Sequence, residues 1–463
     1  QLCVQPPQGS LGTPARVLAA FAKTPLLQPG EECMLLLTCT EYDIASFDDT
    51  GAAGSRGSYL LEAGSYVFYI GSDARSAQPI GEYFLPENEV LVTLRPVCPV
   101  RDPFLRIVAK NGKAVREMVP AVEVDRKARI LSELPPAVGY RGDQGIRLAD
   151  VKEGRAPLEA FLSQLTDREL EALTRGYGCM GAPYGASGNA GAYGGILPSL
   201  AEKGIPPVVT TDGPAGIRVN RYAALLPCGT ALACTWDVAL VEQVYASVGE
   251  EMERIGSNVL LAPGMNIHRD PLCGRNFEYF SEDPLLTGKM AAAAVRGVQS
   301  RGRIACPKHF ACNNQEKNRN RHDSRVSERA LREIYLKGFE ICVREGKPYN
   351  IMTSYNKVNG VWSHYHYDLA TTVLREEWGF GGAVITDWWM RKSASPEFPA
   401  LKDNAYRVRA QVDVLMPGNM SYLGKRYKSD GSLLRTLGKE GGITRGELER
   451  SAANTLRVAM LLL

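Results

Sequence analysis

The sequence lacks both an excess of charge of one sign and any long apolar run. Its 54 Lys and Arg residues nearly balance 51 Asp and Glu residues, which leaves a net charge of +3. Such a small excess excludes a strong electrostatic case for nucleic acid or an anionic membrane as the main partner. No window approaches the roughly 20 apolar residues that cross a bilayer. The remaining composition, 44% hydrophobic and 23% charged, is typical of a globular chain.

Motifs that pair cysteines or cradle phosphates are also missing. The eleven cysteines are odd in number and scattered, and no two are spaced as Cys-x-x-Cys, so we expect no zinc site and no redox motif. The glycine-rich stretch at residues 177–195 fits neither the Walker nor the dinucleotide fingerprint. We therefore predict no metal and no cofactor. The cysteine usage favours a reducing compartment, which points to the cytoplasm.

The first hundred residues have the pattern of a β domain, in a chain whose 463 residues predict two or three domains at roughly 150 residues each. Short runs rich in β-branched and aromatic residues alternate with turn-forming Gly, Pro and Asp, which predicts a small β-sandwich over residues 1–100. Strands are predicted at residues 32–39, 59–61, 66–71 and 89–94, with a hairpin-like connection between the middle two. The polar residues 101–157 are predicted to form a linker.

From residue 158 to the end, at 463, short apolar runs alternate with amphipathic stretches. Strands are predicted at residues 207–211, 258–262, 304–307, 351–353, 383–386 and 412–416. Helices are predicted at residues 158–173, 240–255, 284–300, 327–344 and 368–378. This alternation predicts an α/β fold with a parallel sheet, and at this length a closed (β/α)8 barrel is the leading candidate. Residues 177–195 are predicted to be a loop.

Chemically capable side chains follow nearly every predicted strand. They are Asp212, Asn266 and His268, Lys308 and His309, Ser354 and Tyr355, and Asp387. The carboxyl ends of barrel strands converge on one mouth, so we expect these groups to meet there. A doubly wound sheet would gather only those near its switch point. The barrel therefore makes better use of this sequence.

Three of these positions have a specific chemistry and an ordinary alternative. Asp387 precedes Trp388 and Trp389, and a carboxylate beside aromatic rings suits carbohydrate chemistry, although it also suits a helix cap. Lys308 could form a Schiff base, donate to sugar hydroxyls, or lie on a surface loop. Asp212 lies in an Asp-Gly-Pro turn, where it could accept from two neighbouring hydroxyls or only form the turn.

Five ordered motifs together resemble glycoside hydrolase family 3, in its β-glucosidase branch. They are Thr-Asp-Gly-Pro-Ala-Gly-Ile-Arg at 211–218, Gly-Arg-Asn-Phe-Glu-Tyr-Phe-Ser-Glu-Asp at 274–283, Lys-His-Phe-Ala-Cys-Asn-Asn-Gln-Glu at 308–316, Met-Thr-Ser-Tyr-Asn at 352–356 and Val-Ile-Thr-Asp-Trp at 384–388. The resemblance implies a retaining, exo-acting hydrolase of terminal β-D-glucosyl or β-D-xylosyl residues, with a β-glucoside or a short β-linked oligosaccharide as substrate. The related β-N-acetylglucosaminidases carry a Gly-His pattern that residues 313–323 do not show.

The resemblance also implies a role for each matching position. Asp387 corresponds to the nucleophile that forms the covalent glycosyl-enzyme. The positions that hold the hydroxyls of the first sugar correspond to Asp212, Arg275, Lys308, His309 and Tyr355, and its apolar walls to Met352 and Trp388. A Schiff-base lyase centred on Lys308 and a sugar-binding barrel without catalysis are the alternatives.

The N-terminal β region resembles the fibronectin type III-like module of the same family, which here precedes the barrel, as in some members from gut and rumen bacteria. A retaining glycosidase needs a second carboxyl group about 5–5.5 Å from the nucleophile. In this family a Glu of an α/β sandwich domain usually supplies it, and these residues contain no such domain. The chain starts at Gln1. We therefore expect a longer, bacterial protein whose N-terminal α/β sandwich segment carries the acid/base.

Overall fold

The computed structural model describes residues 1–110, 113–180, 183–418 and 430–463. The N-terminal part is a sandwich of two antiparallel sheets. One sheet has the strand order Val17–Ala20, Leu2–Gln5, Gly64–Ile70 and Gln78–Leu85. The other has the order Ser46–Asp48, Ser58–Leu61 and Glu89–Thr93, and the short helix Glu41–Ile44 precedes its first strand. A sandwich is thus confirmed for this region.

Two local predictions in the sandwich are wrong. Ser58–Leu61 and Gly64–Ile70 do not form a hairpin, because the chain crosses from one sheet to the other between them. The predicted strand at residues 32–39 is irregular, and Met34 is 97% exposed. A strand needs a neighbour for its N–H and C=O groups, and in the described part of the chain no strand pairs with this segment. Its apolar sequence alone does not create one.

Residues 101–157, predicted as a linker, contain regular elements. Phe104–Lys110 and Lys113–Val119 form an antiparallel pair of strands, and two short helices, Arg126–Ser132 and Leu148–Lys152, follow. Pro103 connects this stretch to the following domain, since Arg325 Nη2 donates to its carbonyl at 3.2 Å. The domain boundaries at residues 100 and 157 stay predictions.

The C-terminal part contains the barrel. Its strands are Gly191–Gly194, Pro207–Asp212, Val259–Leu261, Ile304–Ala305, Lys308–Phe310, Asn350–Thr353 and Ala383–Ile385. Single bridges complete the ring, from Gly264 to Lys308, from Ile385 to Val414, from Arg175 to Leu415 and from Tyr177 to Ala192. A small outer sheet comprises Asp323–Ser324, Lys357–Val358 and Val361–Trp362. The predicted barrel fold is confirmed.

One barrel strand runs against the others. Gly191–Gly194 is antiparallel to Pro207–Asp212, and Tyr177 also bridges to it in antiparallel fashion. It lies inside residues 177–195, which the sequence predicts to be a loop. Glycine is depleted in strands, so the glycines of this stretch hide the strand pattern. Gly191 has φ +111°, and a Cβ there would overlap the Gly178 carbonyl oxygen, so the close approach of the two backbones requires glycine.

The longer helices lie outside the ring. They include Val238–Ile255, Pro284–Gln299 and Arg445–Met460, with π-helical turns at Leu331–Leu336, Cys342–Gly346 and Asp368–Glu377. Asp403–Arg409 is a helix of seven residues. Shorter helical elements are Leu158–Ser163, Asp167–Leu173, Pro198–Glu202, Gly229–Ala233, Asn276–Glu278, Glu328–Ala330, Lys337–Ile341, Ser363–Tyr365 and Ser432–Thr436. Among the described helices, none is long and apolar enough to cross a membrane.

The helix predicted at residues 158–173 is two helices. Thr166 ends the first run, since its hydroxyl accepts the Glu169 N–H and the Glu169 carboxylate accepts the Thr166 N–H at 2.9 Å. This reciprocal capping box starts a new helix at Asp167. The helical spacing of the leucines is shared by both helices and does not reveal the break.

A buried ion pair joins the last helix to the helix Asp403–Arg409. Glu447 accepts from Arg409 Nε at 2.6 Å and from Arg409 Nη2 at 2.8 Å, and both side chains are at most 3% exposed. Replacing Glu447 with Gln leaves the guanidinium buried without its counter-charge. We expect Glu447→Gln to lower the free energy of unfolding by about 3 kcal/mol, measured by urea unfolding.

The half-exposed pair Lys289–Glu345 is the matched control, at 2.7 Å with side chains 36% and 40% exposed. Glu345→Gln is expected to change the unfolding free energy by less than about 1 kcal/mol. Equal effects of the two substitutions would contradict the account of the buried pair.

Candidate active site

The predicted residues gather at one mouth because of where they stand on the strands. Asp212 is the last residue of Pro207–Asp212, and Asp387 comes two residues after Ala383–Ile385. Lys308 and His309 lie in the strand Lys308–Phe310. The parallel strands end on the same side of the ring, so these groups face a common space.

Lys308 and Asp212 form the first contact of the site. The Lys308 ammonium donates to Asp212 Oδ1 at 2.9 Å, and the largely exposed Arg218 donates to Oδ2 at 3.0 Å. Burial raises the pKa of Asp212, but the attraction of Lys308 and Arg218 outweighs it and lowers that pKa below its ordinary value. Asp212 is therefore an ionised acceptor, with a cation on each oxygen.

Asp387 lies deeper in the mouth. Its Oδ1 accepts the Trp388 N–H at 2.6 Å. Burial raises its pKa above the ordinary value, while Lys308, the Trp388 N–H and Arg275 counteract part of that rise. The carboxylate is thus desolvated, and the Tyr355 hydroxyl also acts on it as a hydrogen-bond donor.

His309 faces Asp387 as a neutral imidazole. Its Nε2 lies 3.6 Å from Asp387 Oδ2. Burial, followed by the charges of Arg275 and Lys308, lowers its pKa well below the ordinary value. Tyr279 and Asn266 hold the other ring nitrogen, each at 3.3 Å from Nδ1. The Tyr279 hydroxyl accepts from Asn313 at 3.1 Å, so it can donate to Nδ1, whereas Asn266 offers Nδ1 its acceptor oxygen Oδ1.

Tyr355 and Trp388 contact each other beside Asp387, and Met352 belongs to the same buried cluster as Trp388. Tyr355 donates its hydroxyl to the Trp388 carbonyl at 2.8 Å, and Trp388 Nε1 donates to the Ala190 carbonyl at 2.9 Å. Met352 is 1% exposed and packs in the same buried cluster as Trp388. These contacts fix the indole ring beside the carboxylate of Asp387.

Arg275 reaches the mouth from the loop after Val259–Leu261. It is ion-paired with Glu278 and lies 3.8 Å from Glu316. Although burial opposes it, the ion pair with Glu278 raises the pKa of Arg275 above its ordinary value. Its charge contributes to the lowering of the pKa of His309 and counteracts the rise in that of Asp387, so it belongs to the same electrostatic unit.

Arg319 is a member of the site that sequence reasoning missed. Its guanidinium lies 4.5 Å from the centre of the Tyr355 ring and donates to Glu316 at 3.0 Å. It lies in residues 313–325, a polar run that the sequence analysis did not assign to the site. The available signal was position, because this run directly follows Lys308 and His309 and so had to lie beside the mouth. Asn266, which was expected at the mouth, contacts His309 there, whereas Tyr279 was missed.

Other candidates lie outside the site. His268 contacts the backbone of Asn276 and Tyr279, and Ser354 donates to the Ala311 carbonyl at 2.8 Å. His322 lies 3.1 Å from Ser324, whose hydroxyl donates to the Cys312 carbonyl at 2.9 Å, so the two residues support the loop.

One buried trio outside the site has metal-binding side chains, namely Cys98, His366 and Asp368. Asp368 already accepts the Cys98 N–H at 2.9 Å and lies 3.6 Å from Arg129. Burial raises the pKa of the Cys98 thiol well above its ordinary value. A neutral thiol and a carboxylate already paired with a cation disfavour a metal ion at this position.

Comparison with known proteins identifies the fold family. Residues 197–458 match the Glycosyl hydrolase family 3 N terminal domain, and residues 1–74 match the Fibronectin type III-like domain. The chain belongs to glycosyl hydrolase family 3. This confirms the resemblance drawn from the five motifs, and within this family 3 chain the fibronectin type III-like module precedes the barrel.

The similar proteins are named as β-glucosidases. The chain is 44% identical to the Beta-glucosidase of Ruminococcus albus over 99% of its own length and 48% of that protein. It is 40% identical to Beta-glucosidase A of Butyrivibrio fibrisolvens over 84% of its own length and 49% of that protein. The family 3 chain thus spans about half the length of these relatives.

The chain is also similar to solved structures of β-glucosidases. A β-glucosidase of Paenibacillus barengoltzii is similar with a TM-score of 0.92 and 45% identity, over 99% of this chain and 51% of that one. β-Glucosidase 3B of Thermotoga neapolitana in complex with glucose has a TM-score of 0.57 and 42% identity, over 65% and 42% of the two chains.

Proposed function

We propose that this family 3 chain carries the nucleophile and the first sugar subsite of a retaining, exo-acting β-glucosidase. The observation that carries the proposal is the largely buried Asp387 carboxylate, which lies 3.6 Å from the neutral His309 imidazole and is attracted by the positive charge of Lys308. Terminal β-D-glucosyl residues are the proposed substrate, and β-D-xylosyl residues are the second sugar class to test. The names of the relatives, which are β-glucosidases, support a β-glucoside as the substrate.

In the proposed mechanism, an Asp387 oxygen attacks the anomeric carbon as the bond from that carbon to the leaving oxygen breaks. The leaving oxygen takes a proton from a carboxylic acid, and water then cleaves the Asp387 ester after giving a proton to the same group. Asp212 accepts hydrogen bonds from sugar hydroxyls, and Lys308 donates a hydrogen bond to a neighbouring hydroxyl. These hydrogen bonds strengthen as positive charge develops on the ring, because water is excluded there.

The proton donor is proposed to lie on an N-terminal α/β sandwich segment of the same protein. Glu278 and Glu316, the carboxylates beside Arg275, are both engaged with arginines, the second of them with Arg319. A carboxylate held by arginine is a poor general acid. The relatives have about twice the length of this chain, which is room for such a segment.

Exposed apolar side chains on the loops of the mouth support a covering segment. Tyr222 and Leu225 follow Asp212 and are 97% and 87% exposed, and Leu272 is 90% exposed on the loop that carries Arg275. Trp389, next to the proposed nucleophile site, is also exposed. Apolar side chains grouped around a site are typical of a surface that another part of the protein covers.

The alternatives have less support. In the described structure the Lys308 ammonium is paired with Asp212, whereas Schiff-base formation needs a free amine. A sugar-binding barrel without catalysis would need no desolvated carboxylate at its centre. For location we propose a reducing compartment, in keeping with eleven cysteines that are all free thiols.

The first test removes the nucleophile from the full-length protein. Asp387→Ala is expected to lower kcat for an aryl β-glucoside by about 10⁴-fold or more, while the Kd for glucose, measured by calorimetry, changes less than about tenfold. Asp143→Asn, which alters an exposed carboxylate, is the control. Unchanged turnover in Asp387→Ala would refute the proposed role.

The second test uses pH. Asp387 must be ionised to attack, so kcat/KM falls as pH drops through its pKa, which burial raises above the ordinary value. Lys308 counteracts part of that rise, so Lys308→Met should move the acidic limb of the kcat/KM profile to higher pH. Lys289→Met removes a half-exposed lysine and should leave the limb in place. A limb that moves to lower pH in Lys308→Met contradicts the account.

A further inference from the structure

The segment after Asp387, residues 388–393, has an anchor on its buried side. The Arg391 carbonyl accepts from Arg407 Nη2 at 3.0 Å and from the Tyr365 hydroxyl at 3.1 Å. The Ser393 N–H donates to the same hydroxyl at 3.1 Å. Two side chains from outside the segment therefore hold its backbone within six residues of Asp387.

Arg407 organises this anchor. Its Nη2 also donates to the Tyr365 hydroxyl at 2.8 Å, and its Nε donates to His364 Nδ1 at 3.2 Å. Burial and the charge of Arg407 lower the pKa of His364 well below its ordinary value, so this acceptor is neutral. The Tyr365 ring stacks on Tyr406 with centroids 4.6 Å apart, which fixes the direction of its hydroxyl.

The charge of Arg407 makes the arrangement unusual. The side chain is 2% exposed, and among the described residues its hydrogen-bond acceptors are an imidazole, a phenol and a backbone carbonyl, with no carboxylate in an ion pair. Burying a guanidinium without a counter-charge is costly for stability. Arg409, two residues along the same helix, is instead paired with Glu447.

We propose that Arg407 is a positioning residue, which holds the backbone of residues 388–393 through Arg391 and Tyr365 and so fixes Asp387 and Trp388 against the sugar. This rests on the proposed function of Asp387. The Trp388 N–H that binds Asp387 and the Trp388 carbonyl that accepts from Tyr355 both belong to this segment. A shift of the segment therefore displaces the nucleophile and one wall of the pocket together.

The experiment compares Arg407→Met and Arg409→Met in the full-length protein. Arg407→Met should lower kcat/KM for an activated aryl β-glucoside about 100-fold, because a displacement of about 1 Å at a reacting group has that effect. Its Tm should stay within about 3 °C of the parent, since losing a buried unpaired charge offsets the lost hydrogen bonds. Arg409→Met should lower Tm by more than that and leave kcat/KM within about threefold of the parent.

Hydrogen exchange of the peptide that contains residues 388–395 is the readout independent of catalysis. Arg407→Met should speed its exchange about tenfold, with no change in Arg409→Met. Arg407→Lys, which keeps the charge and one donor nitrogen, should recover much of both losses and serves if the Met variant does not fold. If Arg407→Met changes neither the exchange of this peptide nor kcat/KM, the proposal is overturned. It is also overturned if the variant has a lower Tm but keeps the exchange and kcat/KM of the parent. A parent without turnover defeats the proposed function, while the exchange comparison still decides whether Arg407 holds the segment.

Discussion

The ammonium group of Lys308 acts on both carboxylates of the barrel mouth. It donates directly to Asp212, whose pKa it lowers, and it counteracts the rise that burial imposes on the pKa of Asp387. Asp212 ends one strand, Asp387 follows another, and Lys308 lies on a third. This geometry depends on a closed ring, because only then do strands far apart in sequence end beside one another. His309, next to Lys308, remains neutral in part because of that same charge.

Much of the fold and the location of the site could be predicted from the sequence. Short apolar runs predicted most of the barrel strands, and Asp212, Lys308 and Asp387 were identified because each stands at the carboxyl end of a run or just after it. The roles assigned to the eight site positions came from the family motifs, and they remain proposals. The position of a polar side chain at a strand end predicts that it lies at the barrel mouth, but it does not predict which of these side chains reacts.

The failures share a physical cause, since each depends on contacts between distant parts of the chain. Gly191–Gly194 forms a barrel strand although glycine is depleted in strands. Position 191 requires glycine because the backbone of Gly178 approaches too closely for any side chain. Residues 32–39 have a strand-like sequence but no neighbouring strand among the described residues. Arg319 was missed because its partner, the Tyr355 ring, belongs to another strand end. The local sequence pattern reflects secondary-structure propensity and burial, whereas these three features depend on contacts with residues elsewhere in the chain.

The most direct test of the account is covalent trapping on Asp387. A 2-deoxy-2-fluoro-β-D-glucoside with an activated leaving group slows both chemical steps and lets the glycosyl-enzyme accumulate. Peptide mapping of the labelled full-length protein by mass spectrometry then locates the modified carboxylate. The account predicts one fluoroglucosyl group, on Asp387, in the peptide that contains Thr386 and Trp388. A label on any other carboxylate, or an active enzyme that forms no adduct, would contradict it.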